Sequence, residues 1–283
     1  MLINILCIGD LVGKAGRAVL EQKLPGIIKD HNIDFVVCNG ENAAGGTGIT
    51  PIIFEKMKKW GVDVVTLGDH CYRKGDIYPT LDSSKQIIRP LNLPASSAGK
   101  GYTIVETKSG VRVAVVSMLG QLNIMNADSP WETFDKLYNS LPDDVKVVVV
   151  DFHAEATSEK IAMGWHCNGR ASIVFGTHTH IPTADAGVLD KGTAFICDVG
   201  MTGPYDSVLG RRKDRVLKHL TTSMPARFDM AIADPRLYGL KATIETTTGE
   251  ALCCELICEK GRPPTGGPVD NDDFDKKFQK PRR

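Results

Sequence analysis

Seven short runs of apolar, largely β-branched residues recur along the chain, at 3–8, 35–38, 62–67, 111–118, 145–150, 172–175 and 194–197. They are continuous rather than alternating, which is the mark of strands buried on both faces. Between several of them lie segments with apolar positions at helical spacing, over 17–30, 51–60, 131–141 and 158–167. Thr50 followed by Pro51 supplies an N-cap and a first-turn proline for the second of these. Alternating strands and helices predict a layered α/β domain with a largely parallel or mixed sheet under helices, an architecture that places ligands at strand carboxyl ends. Further on, 241–247 and 251–259 read as an antiparallel pair turning at Thr-Gly-Glu on a sheet margin. Residues 1–260 are therefore assigned to one domain, and 261–283, rich in proline, glycine and charge, to a mobile tail.

Charge narrows the partners. The 283 residues carry 34 Lys and Arg against 34 Asp and Glu, so no net field favours a stable nucleic-acid complex or a membrane surface. A small molecule is the expected partner, and a homo-oligomer is left open. No stretch approaches the roughly 18 to 20 apolar residues of a membrane span. The amino-terminal run is short and passes directly into Gly9-Asp10-Leu11-Val12-Gly13, unlike a leader peptide. A soluble, cytoplasmic protein is expected. Of the eight cysteines, Cys7, Cys38, Cys167 and Cys197 fall in or near apolar runs and read as buried thiols. Cys253, Cys254 and Cys258 cluster, but the second pair that a zinc knot needs is missing.

The residues that terminate the strands carry the chemistry. Asp10 follows the first run, Glu41 and Asn42 the second, Asp69 and His70 the third, His153 the fifth, and His178 and His180 the sixth. Alone, each reads as a helix cap, a turn former or a hydrogen-bonded histidine. Together they place several oxygen and nitrogen donors on one rim, where they would repel or stay unsatisfied without cations. Oxygen and imidazole donors without thiolate favour Mn, Fe or Zn. The donor count suits two ions, which a carboxylate such as Glu41 can bridge at a spacing of about 3.5 to 4 Å. In His178-Thr179-His180, residues two apart on an extended segment would face the same side and serve neighbouring ions.

Gly9-Asp10, Gly40-Glu41-Asn42, Gly68-Asp69-His70, Asp151-Phe152-His153-Ala154-Glu155 and Gly176-Thr177-His178-Thr179-His180 resemble, in order, the YmdB-like branch of the calcineurin-type metallophosphoesterases. The likeness continues through Arg89-Pro90-Leu91-Asn92-Leu93-Pro94 and Asp198-Val199-Gly200-Met201-Thr202-Gly203-Pro204. It implies a four-layer α/β fold, a central mixed β-sandwich flanked by helices, with residues 1–260 as the catalytic domain. It also implies hydrolysis of cyclic nucleotides, notably 2′,3′-cyclic phosphates, to nucleoside monophosphates. By the same resemblance one ion takes Asp10, Glu41, Asn42 and His180, the other takes Glu41, Asp69, His153 and His178, and His70 is left as general acid. Fe or Mn is the expected metal, ahead of Zn or Mg, and the expected nucleophile is a hydroxide bridging the pair.

One departure stands out. The family pattern has Asn where this chain has Asp69, and the added negative charge should tighten cation binding while weakening the pair's Lewis acidity. Two other functions compete. A broader phosphodiesterase or phosphomonoesterase would use the same metal core, and Asp69 lends support to a regulatory metal- and nucleotide-binding protein with slow catalysis. His70 has a blander reading as a hydrogen bonder beside a ligand. Gly13-Lys14-Ala15 lacks the spacing of a phosphate loop. Arg89, Arg170 and Arg211 are assigned to packing or solvent, and His31, His166 and His219 lack a strand-end setting.

Overall fold

Each of the seven apolar runs lies in or overlaps a strand of the computed structural model, which describes residues 1–265. The first half of the chain comprises β1 (Leu2–Ile8), α1 (Gly13–Asp30), β2 (Phe35–Asn39), α2 (Pro51–Trp60), β3 (Val64–Thr66), α3 (Tyr78–Ser83), β4 (Ile87–Ile88), β5 (Tyr102–Glu106), β6 (Arg112–Leu119) and α4 (Pro130–Ser140). The second half comprises β7 (Val147–His153), α5 (Thr157–Cys167), β8 (Ile173–Thr177), β9 (Gly187–Val188), β10 (Ala194–Ile196), β11 (Gly203–Pro204), α6 (Lys213–Thr222), β12 (Pro235–Glu245) and β13 (Ala251–Lys260).

The strands form two mixed sheets. One runs β11-β12-β1-β2-β3-β4, with β13 paired to β12, and the other runs β5-β6-β7-β8-β10-β9. β1 to β4 of the first are parallel, with antiparallel β12 beside β1 and β4 as the open edge; in the second, parallel β6, β7, β8 and β10 are flanked on both sides by antiparallel strands, β5 and β9. Because strand side chains alternate, each central strand serves two cores. Ile3, Ile5, Cys7, Phe35, Val37, Val147, Val149, Ile173 and Phe175 meet between the sheets. Leu6, Ile8, Val36 and Cys38 turn outward onto Leu20 and Leu24 of α1 and Phe54 of α2. On the far side, Val148, Val150 and Val174 pack against Phe134 of α4 and Met163 of α5. Helices, sheet, sheet and helices therefore stack in four layers, the sandwich expected from the resemblance. Full burial of each such side chain contributes about 1.5–3 kcal/mol.

The helix starts follow the local chemistry. Thr50 Oγ1 accepts from the Ile53 amide ahead of Pro51, and Ser129 Oγ accepts from Glu132 ahead of Pro130. Of the elements absent from the sequence reading, α6 and β5 show why. In α6 only Val216 is buried, and β5 is a half-buried edge, so neither carries a strong apolar period. Cys7, Cys38, Cys167 and Cys197 are buried thiols, whereas Cys253 and Cys258 are exposed on β13. Beyond β13, the Gly261 amide donates to Pro235 O, and Arg262 exchanges hydrogen bonds with Gln22. Of the expected tail, 266–283 lie outside the described residues. No described helix is long and apolar enough to cross a membrane.

Candidate metal centre

All eight strand-end residues come to one rim. The first sheet delivers Asp10 beyond β1, Glu41 and Asn42 beyond β2, and Asp69 and His70 beyond β3. The second delivers His153 at the end of β7, and His178 and His180 beyond β8. These are the carboxyl ends of parallel strands, where α/β sheets place ligands.

One group is tight. Glu41, Asp69, His153 and His178 each offer a donor atom, and all four atoms lie within 4.8 Å of one another. His153 Nε2 is 3.0 Å from His178 Nδ1, 3.2 Å from Asp69 Oδ1 and 3.3 Å from Glu41 Oε1. Beside it, Asp10 Oδ1 lies 3.8 Å from His180 Nε2, and the Asn42 amide nitrogen lies 3.3 Å from the same ring atom. Asp10 is fully buried, and although its Oδ2 accepts from the His178 amide at 2.9 Å, its Oδ1 has no hydrogen-bond partner. A buried, partnerless carboxylate oxygen is costly. A cation shared with His180 and Glu41 would answer it, so the donors fit the metal that the sequence implies.

The second nitrogen of each imidazole is met by oxygen. Thr177 Oγ1 donates to Asp151 Oδ1 at 2.7 Å and so accepts from His153 Nδ1 at 2.9 Å, which leaves Nε2 as the nitrogen that faces Glu41 and Asp69. Glu155 Oε2 lies 3.0 Å from His178 Nε2, and Leu209 O lies 3.2 Å from His180 Nδ1. Asp151 is itself buried and also accepts from Asn39 and Thr66 of the first sheet, tying the two sheets together beneath the rim. Burial pushes its carboxyl up to about 6 despite the nearby His153 and these three donors. The sequence reading gave no role to Thr177, Asp151 or Glu155, although all three lie inside the quoted motifs. Leu209, Asn39 and Thr66 carried no signal.

Burial works against charge at both Glu41 and His153, yet their mutual attraction prevails. The Glu41 carboxyl is held well below its ordinary value by His153 and His70. His153 is raised well above the imidazole range by Glu41, Asp69 and Asp10. Asp69 is likewise lowered against its burial, chiefly by His153. His178 is lowered, first by burial and then by the charge of His153. The pocket is therefore built to hold positive charge, and a cation and a proton on His153 compete for the same carboxylates.

Three details differ from the sequence reading or qualify it. The His178-Thr179-His180 segment is not extended: His178 and His180 have φ of 96° and 66°. Its rings are aimed by this left-handed backbone and not by strand alternation. Asn42 presents its amide nitrogen to Glu41 at 2.9 Å, while its Oδ1 lies 2.8 Å from His70 Nδ1. An oxygen donor at that place requires a half-turn of the amide. Gly68 is needed for space, since a Cβ there would lie 2.3 Å from both Glu41 Oε2 and His153 Cδ2. Arg89 does pack, donating to the carbonyls of Pro90, Leu91, Leu93 and Pro94. A separate cleft of about 340 Å³, with Lys146, Arg170 and Lys191 in its wall, opens at the amino-terminal ends of β7 and β8 and contains none of the rim residues.

The family described as YmdB-like protein matches residues 6–257. The chain belongs to that family. Among YmdB-like relatives, the 2′,3′-cyclic-nucleotide 2′-phosphodiesterase of Bacillus subtilis (strain 168) is 40% identical over 255 residues, covering 90% of this chain and 96% of the relative. A crystal structure of a hypothetical protein from Thermus thermophilus superposes with a TM-score of 0.85 at 35% identity, over 93% of this chain and all of that one. A crystal structure of a novel phosphatase from Mycoplasma pneumoniae gives 0.86 at 30% identity, over 93% and 95%. The YmdB-like match spans β1 to β13 and so includes every rim residue.

Proposed function

We propose that this chain is a metal-dependent phosphoric diester hydrolase that opens 2′,3′-cyclic nucleotides to nucleoside monophosphates. The observation that carries the reading is the buried rim, where Asp10 Oδ1 has no partner and Glu41, Asp69, His153 and His178 converge within 4.8 Å. The name of the Bacillus subtilis relative supports the substrate class. Asp10, Glu41, Asn42 and His180 would hold one ion, and Glu41, Asp69, His153 and His178 the other, with Fe or Mn ahead of Zn or Mg. Two cations bound there supply charge neutralisation for the phosphate and acidify water.

His70 has the properties of the acid. It is 24% exposed, its amide donates to Glu41 Oε2 at 3.1 Å, and its Nε2 lies 3.6 Å from Asp69 Oδ2. In the metal-free protein burial lowers its pKa, but Glu41 and Asp69 outweigh burial and raise it. His70 Nδ1 faces inward, 2.8 Å from the Asn42 amide and 3.4 Å from Glu41 Oε1, so the proton that His70 gives to the departing ribose oxygen is the one on Nε2.

Metal analysis of protein purified without chelator, followed by a 2′,3′-cyclic-nucleotide assay, tests site and reaction together. His70→Ala should keep its metal and lose about 10²–10⁴ in turnover, whereas Asp10→Ala or His180→Ala should lose metal. Full turnover in His70→Ala overturns its role. The Mycoplasma pneumoniae structure, described as a phosphatase, favours a second reading as a broader phosphoesterase, which a substrate panel preferring monoesters would establish.

A further inference from the structure

Two non-glycine residues with left-handed backbone, separated by a single residue, are costly: crowding of Cβ against the carbonyl opposes each by about 1–2 kcal/mol. His178 and His180 are such a pair. What restrains them is the residue between. The Thr179 amide and hydroxyl both donate to Asp198 Oδ2, at 3.1 and 2.6 Å. Lys160 Nζ donates to the same oxygen at 2.7 Å and to Thr179 Oγ1 at 3.2 Å. Asp198 Oδ1 accepts from the Gly200 amide at 2.7 Å, and the Asp198 amide donates to Thr183 Oγ1 at 2.9 Å. The chain after Asp198 runs beside the histidines, with the Met201 amide donating to His180 O. The approach is close enough that a Cβ on Gly176 would lie 1.7 Å from Cys197 O.

Lys160, from α5, and Asp198, after β10, are 2% and 1% exposed at their side chains. Desolvating two charges offsets most of their attraction, so a buried ion pair is a poor device for stability alone. Its value lies in fixing geometry, and here both members converge on Thr179. We propose that Lys160 and Asp198 are positioning residues of the rim: through Thr179 they impose the backbone that aims His178 at Asp69 and His153, and His180 at Asp10 and Asn42. The proposal rests on the reading of these histidines as metal ligands.

Thr179→Val removes the hydroxyl at nearly constant volume, Thr179→Ser restores it, and Asp198→Asn removes the charge. Metal-stripped full-length protein is titrated with Mn²⁺, and amide hydrogen exchange of residues 178–180 is followed in the metal-free state. Thr179→Val and Asp198→Asn should bind Mn²⁺ about 10–100-fold more weakly and exchange faster at these amides, with Thr179→Ser close to wild type. Should Asp198→Asn fail to fold, the threonine pair decides. A pair that serves only stability would lower the melting temperature of Thr179→Val while leaving both affinity and local exchange unchanged, and that result overturns the proposal. Wild-type protein that takes up no Mn²⁺ sinks the metal reading instead, and the exchange measurement then judges the clamp by itself.

Discussion

Glu155 Oε2 stands 3.0 Å from His178 Nε2, which leaves the opposite nitrogen, Nδ1, as the one that faces His153 at 3.0 Å and Asp69 at 3.8 Å. A carboxylate behind a metal-binding imidazole fixes its tautomer and raises its basicity. Glu155 is half exposed, so its effect lies at the weak end of the range for such partners. Glu155→Ala should bind Mn²⁺ about tenfold more weakly, and Glu155→Gln, which keeps an oxygen acceptor, should fall between. Equal affinities in a titration would show that packing alone orients the ring.

Asp69 brings a negative charge, 3.2 Å from His153 Nε2, to a place where the resemblance implies a neutral amide. Asp69→Asn should release metal more readily, by about tenfold or more. It should also move the acid limb of the pH–rate profile to lower pH, because less charge on the ligands leaves the cations more acidic. Metal content and a pH–rate profile measure the two effects, and no change in either removes the role given to this charge.

Gly68→Ala removes no donor atom, yet its new Cβ would meet Glu41 Oε2 and His153 Cδ2 at 2.3 Å. Overpacking of this kind costs about 1–3 kcal/mol. Because the atoms that must give way are on the rim, the variant should lose metal out of proportion to its loss of stability. Urea unfolding set beside metal analysis separates the two, and a fully loaded variant would contradict the packing described here.

Proton and metal should oppose each other across neutral pH. In the metal-free protein, His153 is raised above the ordinary imidazole value of 6.5, so its contribution to stability is complete below that value and fades as pH rises through the raised one. Glu41 is held below the ordinary 4.5, so its contribution is present above that value and fades on acidification. Metal uptake displaces the His153 proton, and the stabilisation gained from Mn²⁺ should therefore be larger at about pH 8 than at about pH 6. Melting temperatures with and without Mn²⁺ at the two pH values measure this, and an equal gain at both would show that His153 gives up no proton.

The elements that the sequence reveals are those whose order is local. Runs such as 147–150 and 173–175 announce strands because burial on both faces leaves no polar position, and Thr50-Pro51 announces a helix start because capping needs only neighbours in the chain. The donors were legible for a related reason: each ends a strand, and the carboxyl end of a parallel strand is where a sheet presents ligands. By contrast α6, with one buried residue, left no period to read.

What the sequence alone determined, then, is which side chains stand at the strand ends, because that depends on position within each βα unit. Only the tertiary structure decided how they meet. Asp10 and the His178 amide are 168 residues apart, His153 and Asp69 are 84, and Lys160 with Asp198 closes on a backbone whose handedness contradicts the extended segment expected for His178 to His180. Tautomer, ring direction and charge balance at the rim come from hydrogen bonds and fields across the two sheets. Such through-space interactions leave no period in the chain, since their strength depends on distance in the folded molecule and not on separation along it.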